Sequence, residues 1–141
     1  MDAVTAPSTA DPADLWEVVA DVTSWPAELE TFTSVTLSDD SPVPSGVGAR
    51  YAVRQPGLAA AVYEVTEWDP GHSFTWVARA PGVVTTATHS VTPSSTGSTL
   101  TLGLGWTGLL APMVRLLAGG RAERMVRYEA DTLARLADHR E

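Results

Sequence analysis

The sequence predicts an α+β fold: an antiparallel sheet covered by one long helix that finishes the chain. Three observations predict it. A short proline-led helix comes first, about six strand-like runs follow in succession, and a helical pattern takes over from Leu109. Turn-forming words separate the runs: DDSPVPSG at 39–46, PG at 56–57, DPG at 69–71, PG at 81–82 and PSSTG at 93–97. Consecutive strands joined by short turns pair antiparallel. A sheet with one apolar face needs a cover, and the last helix is the only segment long enough to supply it. A curved sheet around one helix leaves a pocket between them, which points toward small-molecule binding.

Each element has a local cause. Ala3 to Ala6 reads as a short first strand. Asp11 reads as a helix N-cap with Pro12 at the first helical position. Leu15, Val18, Val19 and Val22 then recur at helical spacing on one face. SWPAEL at 24–29 reads as a second, single-turn helix, and Thr31–Leu37, with its branched Cβ atoms, as a strand.

Alternation orients the next runs. Tyr51, Val53 and Gln55 share one face of 49–55, with Arg50 and Arg54 on the other. Ala61, Tyr63 and Val65 share a face of 60–68, and Phe74, Trp76 and Ala78 a face of 73–79. In 84–92, Thr85, Ala87, His89 and Val91 oppose Thr86, Thr88 and Ser90; neither face is strongly apolar, as suits a cavity wall or a sheet margin. Leu100, Leu102, Leu104 and Trp106 make 99–106 the cleanest half-buried strand. From Leu109 a helical stripe runs through Leu110, Met113, Val114 and Leu117. Ala118, Ala122, Met125, Glu129, Thr132, Leu133 and Leu136 extend it. Gly119–Gly120 interrupts this stripe, as a kink or as a break between two helices.

Composition excludes several functions. The 141 residues suffice for one domain, 1–141, with a sizeable core. Nine Lys and Arg stand against seventeen Asp and Glu, and a net charge of −8 repels a phosphate backbone, so no nucleic-acid partner is expected. With no cysteine there is no disulfide, thiolate metal site or Cys nucleophile. MDAVTAPSTADPAD has no apolar core of a signal peptide and no segment reads as a membrane span, so the expected compartment is the cytoplasm. The literal GxGxxG of Gly103, Gly105 and Gly108 lacks the second strand and acidic residue of a dinucleotide site. No cofactor is expected, and the three histidines show no metal-ligand spacing.

Five words of the chain are recognisable together: ADLWEVVADVTSWPAEL at 13–29, GVGARYAVRQPG at 46–57, EVTEWDPGHSFTW at 64–76, ATHSVTP at 87–93 and MVRYEADTLARL at 125–136. In order and spacing they resemble the polyketide cyclase/dehydrase and lipid-transport group of the START-like (Bet v 1-like, helix-grip) superfamily. The resemblance implies a β-α-α-β6-α helix-grip fold with a cavity between sheet and C-terminal helix, and binding of apolar small molecules. It does not imply a reaction, because fold does not fix function.

The expected ligand-binding residues are Gln55, Tyr63, Trp76, His89, Trp106, Met113, Leu117, Met125 and Tyr128. Apolar pockets carry a few placed polar groups, and Met adapts to irregular ligands; plain core packing is the competing role for each. Trp25 and Phe32 flank the small helices, either as a gate or as packing. His89 is the candidate catalytic residue, a general base near neutral pH or a satisfied strand histidine. Glu129 reads as an ion-pair partner of Arg54, Arg79 or Arg121, or as an acid.

Three functions follow. The first is binding of a small apolar or aromatic, lipid- or polyketide-like molecule by a monomer or homodimer. The alternative is an aromatase/cyclase or dehydratase acting on a polyketide-like substrate by general acid/base catalysis. The third is a partner-binding module with a vestigial pocket, its interface formed by Leu109 to Leu117. Whether the protein is an enzyme stays open at this level.

Overall fold

The computed structural model describes residues 1–139. Its elements are β1 (Val4–Ser8), α1 (Pro12–Ala20), a 3-10 turn (Val22–Ser24), α2 (Trp25–Glu28), β2 (Ser34–Leu37), β3 (Arg50–Arg54), β4 (Ala61–Asp69), β5 (Ser73–Ala80), β6 (Val83–Ser94), β7 (Gly97–Thr107) and α3 (Ala111–Asp138). This is the β-α-α-β6-α order. The strands form one antiparallel sheet in the order β1-β7-β6-β5-β4-β3-β2, so the first strand closes against the last. The sequence GxGxxG therefore starts in a strand with antiparallel neighbours on both sides.

Local chemistry accounts for the start of the chain. The Asp11 carboxylate accepts from the Asp14 backbone N–H at 2.9 Å, with Pro12 in the first turn of α1. Leu15, Val18 and Val19 are buried on its inner face. In β4 the alternation slips: the register shifts between Val65 and Glu67. The extra residue turns Glu67 to the outer face opposite Thr75 and brings Trp68 inward opposite Phe74. Trp68 then meets Trp16 of α1 edge to face, with centroids 5.3 Å apart.

Helix α3 runs unbroken through Gly119 and Gly120. Its two halves differ. In the C-terminal half, Val126, Ala130, Leu133, Ala134 and Ala137 are buried, and the small alanines allow a close approach to β1 and β7. In the N-terminal half only Ala111 is buried. The C-terminal end is also tied by polar bonds: Ser8 Oγ and the Thr9 N–H both donate to Asp138 Oδ1 at 2.7 Å. These donors hold the Asp138 carboxyl below the usual carboxylate range, the Ser8 hydroxyl contributing most. No described helix is long and apolar enough to cross a membrane.

Two substitutions test this framework by urea unfolding. Leu133→Ala should cost about 2–5 kcal/mol through loss of burial and the cavity left behind. Gly97 has φ +145°, and a Cβ there would lie 2.4 Å from the Ser8 carbonyl oxygen. Gly97→Ala should therefore destabilise by more than about 1 kcal/mol, and a neutral result would contradict the packing of β1 on the β6–β7 turn.

Candidate ligand cavity

Because α3 is sealed to the sheet only at its C-terminal half, a cavity of about 260 Å³ lies beneath its N-terminal half. Strands β5, β6 and β7 supply one wall with Trp76, Ala87, His89, Leu102, Leu104 and Trp106. Val114, Ala118, Ala122, Met125 and Glu129 project from α3 at i, i+4, i+8, i+11 and i+15, a single line down one helix face. Trp25, Phe32, Gln55, Leu58, Tyr63 and Arg121 add to the lining, with Thr85, Thr88, Gly103 and Val126 between them. The walls are mostly apolar and aromatic, with few polar groups, and the volume lies just below the ~300 Å³ lower end for small-ligand sites.

Of the nine residues expected at the ligand, Gln55, Tyr63, Trp76, His89, Trp106 and Met125 line this cavity. Three do not. Met113 is 50% exposed and Leu117 76% exposed, because each precedes a lining residue by one position and so lies about 100° round the helix. Tyr128 instead lines a neighbouring recess with Glu30, Thr31 and Pro56, and its hydroxyl oxygen accepts from the Glu30 N–H at 3.1 Å. Arg121 and Met125 border both spaces. Leu102 and Leu104 also line the cavity, although their alternation in β7 is equally that of ordinary strand core. Leu58 lines it too, from a turn with no alternation to orient it.

Aromatic packing fixes the deep wall. Trp76 meets Trp25 at 5.5 Å, Tyr63 at 5.0 Å and Phe74 at 5.7 Å between ring centroids. Trp25 also meets Phe32 at 5.2 Å. Phe74 and His89 are direct partners across β5 and β6, and their rings stack at 4.0 Å with an interplanar angle of 8°.

The Phe74 backbone and burial set the state of His89. Its Nδ1 lies 3.2 Å from the Phe74 carbonyl oxygen, which can only accept, so Nδ1 carries the proton. Burial pushes the pKa down to about 4, against a smaller opposing effect of the carbonyl. At neutral pH the ring is uncharged, with Nε2 an acceptor, and it is a weak general base.

Glu129 is the more responsive group. Burial raises its carboxyl to about 7. Thr31 beside it opposes part of that rise, although the buried Thr31 hydroxyl makes no fully formed hydrogen bond. Among the described residues no arginine forms an ion pair with Glu129, and Arg121 instead donates to the Pro56 carbonyl at 3.0 Å. Tyr63 is raised to about 12, first by burial and then by the nearby Glu129 charge. Trp25 Nε1 is a buried donor without a partner among the described residues.

Comparison with known proteins places the architecture. Residues 3–139 match the family described as polyketide cyclase / dehydrase and lipid transport. Among solved structures, a hypothetical protein from Helicobacter pylori superposes with a TM-score of 0.78 at 12% identity, over 96% of this chain and 85% of that one. A norcoclaurine synthase point mutant from Thalictrum flavum, in complex with a transition-state analogue, gives 0.70 at 18% identity, over 96% and 92%. A Mesorhizobium loti protein gives 0.69 at 17% identity, over 99% and 98%. No curated protein matches the chain. The fold is the Bet v 1-like helix-grip fold.

The titration of Glu129 gives a pH test. Its folded pKa of about 7 lies above the ordinary 4.5, so the folded chain holds the proton more tightly. That contribution to stability is complete below about pH 4.5 and is lost as pH rises through 7. Glu129→Gln removes it. Between pH 5 and pH 8 the wild type should lose about 2 kcal/mol relative to the variant, read as a difference of urea unfolding free energies. Parallel pH profiles would show that the carboxyl is not buried in the cavity.

Proposed function

We propose, from the premise that this chain belongs to the polyketide cyclase / dehydrase and lipid transport family, that its cavity binds a small, largely apolar aromatic molecule. The observation that carries this reading is the space under α3, walled by Trp25, Trp76, Trp106 and aliphatic side chains. A volume of about 260 Å³ suits a compact ligand of one or two rings. Apolar burial supplies the affinity, and a few polar atoms set the orientation: Gln55, the Tyr63 hydroxyl, His89 Nε2 as acceptor and the unpartnered Trp25 indole N–H as donor.

One observation favours a second reading, an aromatase/cyclase or dehydratase acting on a polyketide-like substrate. A carboxyl with a pKa of about 7 faces the cavity close to the Tyr63 hydroxyl, a poise suited to general acid/base catalysis near neutral pH. In that reading Glu129 moves the proton, Tyr63 orients a carbonyl and His89 accepts a hydrogen bond. His89 as the base, the choice read from the sequence, fits less well with a pKa of about 4.

Isothermal titration with 1-naphthol as the probe tests the first reading. Binding should be one to one, and Ala122→Phe, which fills the cavity from α3, should weaken it at least about tenfold, or about 1.4 kcal/mol, without unfolding the chain. Binding unaffected by that change would place the ligand elsewhere. For the second reading the measurement is turnover of a short poly-β-keto thioester. Glu129→Gln should lower turnover by about 100-fold or more while leaving substrate binding within a few-fold; equal loss of both would assign Glu129 to binding.

A further inference from the structure

The outer face of the α3 N-terminal half is apolar and uncovered. Leu109 is 94% exposed and Leu116 84%, and Leu110, Met113 and Leu117 lie exposed beside them. The patch borders the cavity: Val114 and Ala118 of the same two turns line it, and Leu58, also exposed, lines it from the β3–β4 turn. A contiguous apolar patch of this kind on a monomer marks an interaction site.

Charge indicates its partner. Residues 109–128 carry four arginines and a single acid, Glu123, on a chain whose net charge is −8. Arg115 donates to the Trp106 carbonyl at 3.0 Å and Arg121 to the Pro56 carbonyl at 3.0 Å, which anchors both beside the patch. Arg124 and Arg127 follow Met113, Leu116 and Gly120 on the same outward helix face, Arg127 also meeting Asp131 at 3.6 Å. The result is an exposed apolar helix end flanked by arginines, of which Arg127 also donates to the Thr5 carbonyl.

We propose that this tip docks the protein on an anionic lipid surface and turns the mouth of the cavity toward it. The leucines enter the boundary between headgroups and acyl chains, and the arginines meet the anionic headgroups. The docking is independent of what the cavity binds, so it stands or falls separately from the ligand reading.

Co-sedimentation of the full chain with vesicles tests it, using phosphatidylcholine alone and an equimolar mixture with phosphatidylserine. The protein should partition onto the mixed vesicles, more weakly onto the neutral ones, and less as salt is raised. The double change Leu116→Glu/Leu117→Glu should weaken partition at least about tenfold, and Arg124→Glu about fivefold or more. Both variants alter exposed positions, so circular dichroism and 1-naphthol titration should match those of the wild type. No partition onto either vesicle, or partition unchanged by Leu116→Glu/Leu117→Glu, would overturn the proposal. So would a dimer by light scattering, dissociated by that double change, with no vesicle binding; the patch would then belong to a second copy of the chain.

Discussion

The close contact between the C-terminal half of α3 and strands β1 and β7 sets the position of the helix-borne cavity residues. Ala130, Ala134 and Ala137 have side chains small enough to let the helix backbone approach the sheet. Leu133 fills the space between, and the Ser8–Asp138 hydrogen bond ties the helix end to the first strand. The helix is continuous, so fixing one end fixes the direction of the other. Its N-terminal half then spans the concave sheet without closing on it, and the uncovered volume is the cavity. The same lever leaves the opposite face of that half in solvent. Cavity and apolar tip are two consequences of one packing arrangement.

Inside the cavity, packing and electrostatics are coupled. The ring cluster of Trp25, Phe32, Tyr63, Phe74 and Trp76 is held by edge-to-face and tilted contacts between 5.0 and 6.4 Å. Such a wall is preorganised, so a flat ligand meets rings already in place. The same apolar surroundings disfavour charge. They keep His89 neutral and push Glu129 toward a neutral carboxyl, opposite directions on a pH scale with one cause. A lowered base and a raised acid together reduce the charged character of the site near neutral pH, which suits an uncharged apolar guest.

Much of the fold was legible because its signals are local. Turn words fell between strands, Asp11–Pro12 marked the start of α1, and alternation in β3, β5 and β7 identified the inward faces of Tyr51, Trp76 and Leu102. Parity also put His89 on one face with Ala87 and Val91; which way that face points is decided by the sheet, which turns it inward. What stayed hidden depends on longer-range geometry. The bulge in β4 that turns Trp68 inward has no composition cue. Gly119–Gly120 resembled a break, yet α3 passes through it, with the flanking turns continuing the helix on both sides. The phase of α3 was ambiguous in its apolar first half: Val114 and Met113 are adjacent and both hydrophobic, and only contact with the sheet decides which faces the cavity. The exposure of Leu109, Leu116 and Leu117 entered the sequence reading only as the interface of its third function, because periodicity alone does not separate exposed leucines from buried ones.

The most direct test of a ligand cavity beneath α3 uses the five tryptophans as internal reporters. Trp25, Trp76 and Trp106 line the cavity, whereas Trp16 and Trp68 pack against each other outside its lining. Indole ¹H–¹⁵N resonances followed by NMR during titration with 1-naphthol distinguish the two groups. Saturable shifts are expected in the Trp25, Trp76 and Trp106 signals, with Trp16 and Trp68 little changed. Shifts confined to Trp16 and Trp68, or no saturable shift in any indole, would contradict a ligand cavity beneath α3.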